Sequence, residues 1–417
     1  MFRIVHMESS VHMGGQELRI LDQIRWLRKK GHAAWLLARG DSAIYKEAER
    51  RNLPIHSIPF RGSLNPRAVY SLIRFIREKQ IHLLDCHSAS AASTALVARI
   101  LGTPIVQTFH YDFKTDFVHK HLFRHGNNNV ITVSRWIADK LTELEFADRR
   151  MISVIPTGID LDKFKPEIND TSIRNEFHIP GDTAVISEIG MIRPDKGQKY
   201  LIRAVDRIAS AYANVCFLIV GSATKQEYLS DIKNEVAALR HKEKVILTGF
   251  RQDTEKLIAA SDVVVNSSLF EPRSQVIHQA FAMKKLVVAS DAGGNQESIT
   301  HGETGLLFHS ENVESLSETI LAALGNHTER IRERAYLMAL SEFGIDKMMN
   351  RTLDIYRNTI TYNHIERVKN RCLRKTIRSV NESYGKTADA AIISNNTGRK
   401  QAEEYRMNRV NKANLNE

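Results

Sequence analysis

The sequence predicts an α/β protein made of two doubly wound, Rossmann-like halves that face each other across a cleft, followed by a basic polar extension. Three observations predict it. At 417 residues and 42% hydrophobic composition, the chain exceeds one ordinary core and suits two. Short apolar segments alternate with helical ones, the pattern of parallel strands joined by right-handed crossovers. The alternation runs through two cycles, separated by the loop Pro156 to Asn175.

The opening segment Phe2 to His6 is apolar and bounded by Glu8-Ser9-Ser10, which reads as a buried strand. After Gly14-Gly15, the stretch Glu17 to Lys30 spaces Leu18, Leu21, Ile24 and Leu27 as one helical face, and Gly31 ends it. The strands that follow are Trp35 to Ala38, Ile55 to Phe60, His82 to Cys86, Ile105 to Phe109, Val130 to Val133 and Ile152 to Ile155. The second cycle holds Ala184 to Ile189, Val215 to Val220, Val245 to Leu247, Val263 to Val265, Leu286 to Ala289 and Leu306 to Phe308. Asn326 to Ile360 reads as two helices. The expected organisation is therefore a first domain over 1–165, a second over 176–345, a helix over 346–361 packing back on the first domain, and an extension over 362–417. That extension carries 12 Lys and Arg against 6 Asp and Glu, is Asn-rich, and is expected to be partly disordered.

A formal net charge of +11 calls for anionic partners: phosphates, nucleic acid or an anionic membrane surface. Three cysteines, Cys86, Cys216 and Cys372, lie far apart with no CxxC spacing, which points to a reducing compartment, the cytoplasm. The first residues lack the charged and apolar regions of a signal peptide. The apolar stretch Ala89 to Phe109 is broken by Arg99 and by Gly102-Thr103-Pro104. Membrane contact, where it occurs, is expected to be peripheral, at the inner face of the cytoplasmic membrane.

Three loops after strands carry candidate chemistry. Gly14-Gly15-Gln16-Glu17 would let backbone N–H groups approach a phosphate at a helix start, although a glycine pair there also makes an ordinary tight turn. Arg193-Pro194-Asp195-Lys196-Gly197 offers a bidentate and a point cation for a diphosphate; a solvated basic turn has the same composition. Phe270-Glu271-Pro272-Arg273-Ser274-Gln275 puts a carboxylate at a strand tip, where it would accept sugar hydroxyls, or simply favour the dipole of the helix that follows.

In order and spacing these features resemble the family 4 glycosyltransferases of GT-B fold, over roughly residues 1 to 360. Also matching are Thr108 to His110, Val133-Ser134, Ile155-Pro156-Thr157-Gly158-Ile159-Asp160 with Phe164 and Pro166, and Gly190 to Gly197. Further on come Val220-Gly221, Thr248-Gly249-Phe250, Ala260-Ser261-Asp262, Asp291 to Glu297, and Gly302 to Leu307. A dozen motifs in register are far more specific than any one of them.

The resemblance implies roles residue by residue. Lys196 would bind the donor diphosphate, Glu271 the transferred sugar, and the backbone of Arg273, Ser274 and Gln275 the phosphates. His110 would sit beside the donor sugar as a catalytic residue with Glu271, and Gly14 and Gly15 would let the first domain close onto donor and acceptor. Two positions depart from the pattern. The second Glu of the signature, which holds the ribose, is Gln279, able to accept a hydrogen bond but uncharged. The usual Arg five residues before the Lys is Met191, and Arg193 stands close enough to replace it. The activity implied is transfer of a sugar, with retention, from a UDP- or GDP-linked donor to a glycan or lipid-linked acceptor, with no cofactor and no metal. Cations and helix N–H groups would offset the leaving diphosphate. Bacterial lipopolysaccharide or capsule synthesis is the expected setting.

Other readings accompany this one. The same fold serves sugar-nucleotide epimerases and sugar-phosphate synthases. A basic nucleic-acid-binding protein, or a catalytically dead assembly factor, would explain the charge or the departures, but no nucleic-acid motif is present and nucleic acid is not expected as a partner. His119, His121 and His125, interleaved with Lys114, Lys120, Arg124, Phe113, Phe117, Leu122 and Phe123, suggest an acceptor or membrane-facing segment more than a metal site. His87 at a strand end would touch acceptor or act as a hydrogen-bonded structural residue.

Overall fold

The computed structural model describes residues 1–60, 65–110, 129–169, 171–325 and 328–369. The histidine-rich segment around His119, His121 and His125, Cys372 and most of the basic extension lie outside them. Residues 1–360 form one compact unit and 361–417 a second, of which 361–369 are described and helical.

The first unit contains two sheets. Seven strands, β1 (Arg3–Glu8), β2 (Ala33–Ala38), β3 (Ile55–Ser57), β4 (Leu83–Cys86), β5 (Ile105–Phe109), β6 (Asn129–Thr132) and β7 (Ile152–Val154), pair in the order β3-β2-β1-β4-β5-β6-β7. Six more, β8 (Ala184–Ile189), β9 (Val215–Val220), β10 (Val245–Gly249), β11 (Val263–Asn266), β12 (Leu286–Ser290) and β13 (Leu306–Phe308), pair as β10-β9-β8-β11-β12-β13. All neighbours are parallel. Strand order reverses between β1 and β4 and between β8 and β11, so each sheet opens a crevice at those carboxyl ends.

Helices cover both faces of each sheet, which is why the strands read as continuous apolar runs. In β1, Ile4 enters one core while Val5 and Met7 enter the other, because successive side chains point to opposite faces. The helix Gly15–Lys29 is more deeply buried than a one-sided stripe would require. The helix over residues 345–360 packs behind it, adding Met348, Met349 and Tyr356 to a core with Ile20, Leu21, Ile24 and Leu27, and Trp26 Nε1 donates to Asp346 at 2.6 Å. This corrects the expected face: Arg19 is buried and Leu18 is 37% exposed.

The chain crosses between the sheets twice, and the crossings lie together. Ile159 N donates to Phe343 O at 2.8 Å, and Ile345 N donates to Ile159 O at 2.9 Å. The first crossing is not all loop, since Thr171–Glu176 is helical. The last helix of the second half, Glu329–Glu342, buries Ala335 and Ala339 against Ile277 and Phe281. The following helix returns to the first sheet, where Asn129 Nδ2 donates to Thr359 Oγ1 at 2.7 Å.

Candidate active site

The crevices of the two sheets face one cleft of about 1570 Å³. His110, Glu271, Gly14, Gly15, Arg193, Lys196, Arg273, Ser274, Gln275 and Gln279 all line it. Each of these ten stands in the loop after a strand or on the helix that such a loop opens.

On the second sheet, Lys196 follows β8 and Glu271 follows β11. Lys196 Nζ donates to Glu271 Oε2 at 2.7 Å, and Ser268 Oγ donates to the same oxygen at 3.1 Å. Glu271 is 5% exposed, so its charge is held by these donors rather than by water. Two glycines make the arrangement possible. Gly197 has φ +73°, and a Cβ there would lie 2.0 Å from Ser267 O. A Cβ on Gly294 would lie 2.0 Å from Pro272 O, and its N–H donates to Glu271 O at 2.7 Å. The Glu271 loop is thus pressed between two backbones that no side chain can separate.

Gln275 opens the helix Gln275–Ala282, and Ser274 at the N-cap gives no side-chain cap to its first turn. Ser274 Oγ instead accepts from Asn266 Nδ2 at 3.1 Å, so the helix start is left for an anion. One turn on, Gln279 Oε1 is buried with no hydrogen-bond partner. A buried carbonyl oxygen in a cleft, facing no donor of its own protein, is suited to a ligand hydroxyl. Arg193 lines the cleft and pairs with Asp195 at 2.8 Å. Arg273 is differently placed from its neighbours. Its guanidinium pairs with Glu297 at 3.3 Å and lies 5.5 Å from the Phe343 ring, and burial lowers its proton affinity. Its side chain is committed to the protein, leaving its backbone for a ligand.

Glu297 links the halves. Its two oxygens accept from Arg135 N and Trp136 N, each at 2.8 Å, which caps the helix Arg135–Glu143 of the first domain. Trp136 meets Phe270 edge-on at 4.7 Å. A second link runs through the glycine loop: Gln275 Nε2 donates to Gly15 O at 2.6 Å. Here one expectation is corrected. The Gly14 N–H donates to Glu17 Oε2 at 2.8 Å, completing the helix start, and is not open to a phosphate. Met191, in place of the usual Arg, lies against this loop; a Cβ on Gly14 would stand 3.4 Å from its Cε.

On the first sheet, His110 follows β5, and its Nε2 lies within hydrogen-bond distance of His87 Nδ1, at 3.0 Å. Burial first, then the neighbouring charge of Arg19, holds its proton affinity well below the ordinary histidine range.

Sequence reasoning missed two carboxylates that line the cleft. Glu188 in β8 accepts from Ser267 N at 3.1 Å and Ser267 Oγ at 2.5 Å, while its Oε2 has no partner. Burial raises its pKa to about 7. Glu8, ending β1, accepts from Ser10 N at 2.7 Å and from Gln16 Nε2, and burial with the nearby Glu17 raises its pKa to about 7. The signal was a lone acid inside an apolar strand, as in Ala184-Val185-Ile186-Ser187-Glu188-Ile189. The chain also contains an Asp-x-Asp sequence, Asp160-Leu161-Asp162; Asp160 Oδ1 accepts from Asp162 N and Lys163 N at 3.0 and 3.2 Å, as a turn cap.

Comparison with known proteins gives two adjacent family matches, Glycosyltransferase Family 4 over residues 13–163 and Glycosyl transferases group 1 over residues 169–338. The alpha-monoglucosyldiacylglycerol synthase of Streptococcus pneumoniae is 24% identical over 82% of this chain and 82% of its own length. An Escherichia coli UDP-Gal:alpha-D-GlcNAc-diphosphoundecaprenol alpha-1,3-galactosyltransferase is 24% identical over 70% and 79%. A Rickettsia africae glycosyltransferase superposes with TM-score 0.79 at 21% identity, covering 86% of this chain and 98% of that one. HepE of Anabaena, solved with UDP and glucose, superposes with TM-score 0.77 at 23% identity over 85% and 99%. The two facing parallel sheets are those of the GT-B fold, and the chain belongs to the family 4, group 1 glycosyltransferases.

Proposed function

We propose that the protein transfers a sugar, with retention of configuration and without a metal, from a UDP- or GDP-sugar to a hydroxyl of a glycan or lipid-linked acceptor. The observation that carries this reading is the Lys196–Glu271 pair at the meeting of two strand ends, beside an uncapped helix start and the unpartnered Gln279 Oε1.

In this reading Lys196 leaves Glu271 for the diphosphate, joined by Arg193 and the first N–H groups of the helix Gln275–Ala282. Charge that develops on the leaving phosphate is then met by donors already in place. Glu271 accepts from hydroxyls of the transferred sugar, and Gln279 Oε1 from a ribose hydroxyl. His110 lies across the cleft at the sugar. The acceptor hydroxyl attacks the face that the diphosphate leaves, and its proton passes to the departing phosphate oxygen.

A bacterial surface-polysaccharide setting, at the inner face of the cytoplasmic membrane, is supported by the +11 charge and by relatives named for lipid-linked or glycolipid substrates. Among the described residues no helix is long and apolar enough to cross a membrane. The test is release of nucleoside diphosphate from a panel of UDP-, GDP- and ADP-sugars, without added metal and with an envelope lipid extract as acceptor. Release from one donor, stimulated by extract, supports transfer. Conversion of the donor sugar without acceptor would replace it with an epimerase, and a strict need for added divalent cation would remove the metal-free part.

A further inference from the structure

Three histidines form a chain of hydrogen bonds that ends at the cleft. They come from three neighbouring strands of the first sheet: His6 within β1, His87 after β4 and His110 after β5. His6 Nδ1 lies 3.0 Å from His87 Nε2, and His87 Nδ1 lies 3.0 Å from His110 Nε2. The rings follow one another at 5.3 and 5.2 Å between centroids. His6 is fully buried and His87 is 4% exposed. Asp85 Oδ2 stands beside the first shared proton, 3.7 Å from His6 Nδ1 and 3.6 Å from His87 Nε2, and the carboxyl is held by Thr108 Oγ1 at 2.7 Å and by Tyr356 Oη.

All three rings are neutral. Burial lowers the His6 pKa to about 3 and holds His87 and His110 well below their ordinary range, and the charge of Arg19 adds to this at each. A neutral imidazole has one N–H and one acceptor nitrogen. Two hydrogen bonds among three such rings therefore run in a single direction, inward or outward. The inward direction would leave an N–H on His6 Nε2, which is buried with no partner. An orphaned buried N–H is costlier and rarer than an unfilled lone pair. The outward direction puts a lone pair there. His6 then donates to His87, His87 donates to His110 Nε2, and His110 keeps its hydrogen on Nδ1, the ring nitrogen left for a ligand in the cleft.

We propose that His6 and His87 are positioning residues that lock His110 as the Nδ1–H tautomer, so that His110 serves the transfer as a hydrogen-bond donor to a sugar oxygen and not as a base. The inference rests on the transferase reading above for its consequence, but the tautomer can be read without activity.

The deciding experiment is ring-nitrogen NMR of the full chain labelled with 15N-histidine, with His110 assigned by the signal lost in His110→Gln. The expected spectrum shows His110 and His87 neutral and protonated at Nδ1. Protonation of His110 at Nε2 would overturn the proposal, as would stoichiometric zinc held by His6, Asp85 and His87 in the purified protein. In turnover, His87→Phe is expected to lower kcat about 10- to 100-fold with donor KM nearly unchanged. His87→Asn, whose amide restores a donor, should recover part of that loss. The double variant with His110→Phe should be no slower than His110→Phe alone. An unchanged kcat in a folded His87→Phe would sink the idea. Absence of transfer from every donor in the unaltered protein would instead count against the proposed function and leave the tautomer result standing.

Discussion

The two walls of the cleft are built from opposite materials. The second domain offers charge: Lys196 against Glu271, Arg193 against Asp195, and the acid Glu188 behind them. The first domain offers, at the ends of β4 and β5, the rings of His87 and His110 with His6 behind them, all three with their proton affinity pushed down. The difference teaches which wall meets which part of a substrate. A diphosphate needs cations that water does not screen, whereas a sugar needs donors and acceptors of fixed direction. A charge among these buried rings would cost its desolvation.

The largest effect should come from breaking the charged wall. Lys196→Ala and Glu271→Ala are each expected to lower kcat about 100- to 1000-fold, because each removes a group that the proposed transition state uses and breaks the ion pair that holds its partner in place. Initial rates at saturating donor would show it; a loss under about threefold in either variant would place the chemistry elsewhere. Somewhat smaller, and on stability, is the effect of Gly294→Ala. A Cβ 2.0 Å from Pro272 O must displace the loop that presents Glu271, at about 1–3 kcal/mol by analogy with overpacking. Denaturant unfolding would measure it. Gly15→Ala meets only the flexible end of Gln275 at 2.9 Å and should cost far less.

The buried acids and the buried histidines titrate in opposite senses, and this gives a third prediction. Glu8, Asp85 and Glu188 have folded pKa values raised by burial to about 7. Raised acids contribute stability that is complete below their unfolded values near 4 and is lost as pH rises through about 7. The buried histidines are lowered, so their contribution is present above about 6.5 and is lost as pH falls below it. Between pH 4 and 6.5 the two sets oppose each other. Above pH 6.5 only the acids still titrate, so the ligand-free protein should lose roughly 1–2 kcal/mol between pH 6.5 and 8. Thermal unfolding across that range should show a falling Tm, less steep in Glu188→Gln. A Tm that is flat or rises would mean that these acids are already ionised in the native cleft.

The difference between the walls also governs what the sequence could reveal. All thirteen strands among the described residues were legible, because buried parallel strands are apolar runs bounded by turns. The cleft positions of Lys196, Glu271 and Gln279 were legible because they sit in, or one turn beyond, loops with motif spacing. The histidine chain was not, since it joins residues 81 and 23 positions apart, and only strand order brings β1, β4 and β5 together. Leu18 was misread as part of the buried face, and the burial of Arg19 went unread, for a related reason: the helix over 345–360 packs against the helix Gly15–Lys29, and nothing near residue 19 announces it. Glu188 and Glu8 were visible as acids in apolar strands, but their raised pKa values come from burial that sequence does not state.

The smallest effect tests an uncharged residue of the charged wall. Gln279 stands where the family pattern has a carboxylate, and its Oε1 has no protein partner. A carboxylate there would accept two ribose hydroxyls in place of one and strengthen each hydrogen bond by its charge. It would also be partly desolvated, without a cation of its own, which offsets some of the gain. In the proposed reading the contact is far from the breaking bond and is made equally before and during transfer. Gln279→Glu should therefore lower donor KM by about fivefold, near 1 kcal/mol, with kcat unchanged, and Gln279→Ala should raise KM by a similar factor. A change confined to kcat in either variant would mean that residue 279 acts on the reacting sugar and that the division between the walls has been drawn in the wrong place. An unchanged KM in Gln279→Ala would leave the unpartnered oxygen without a ligand and would remove the ribose from this part of the cleft.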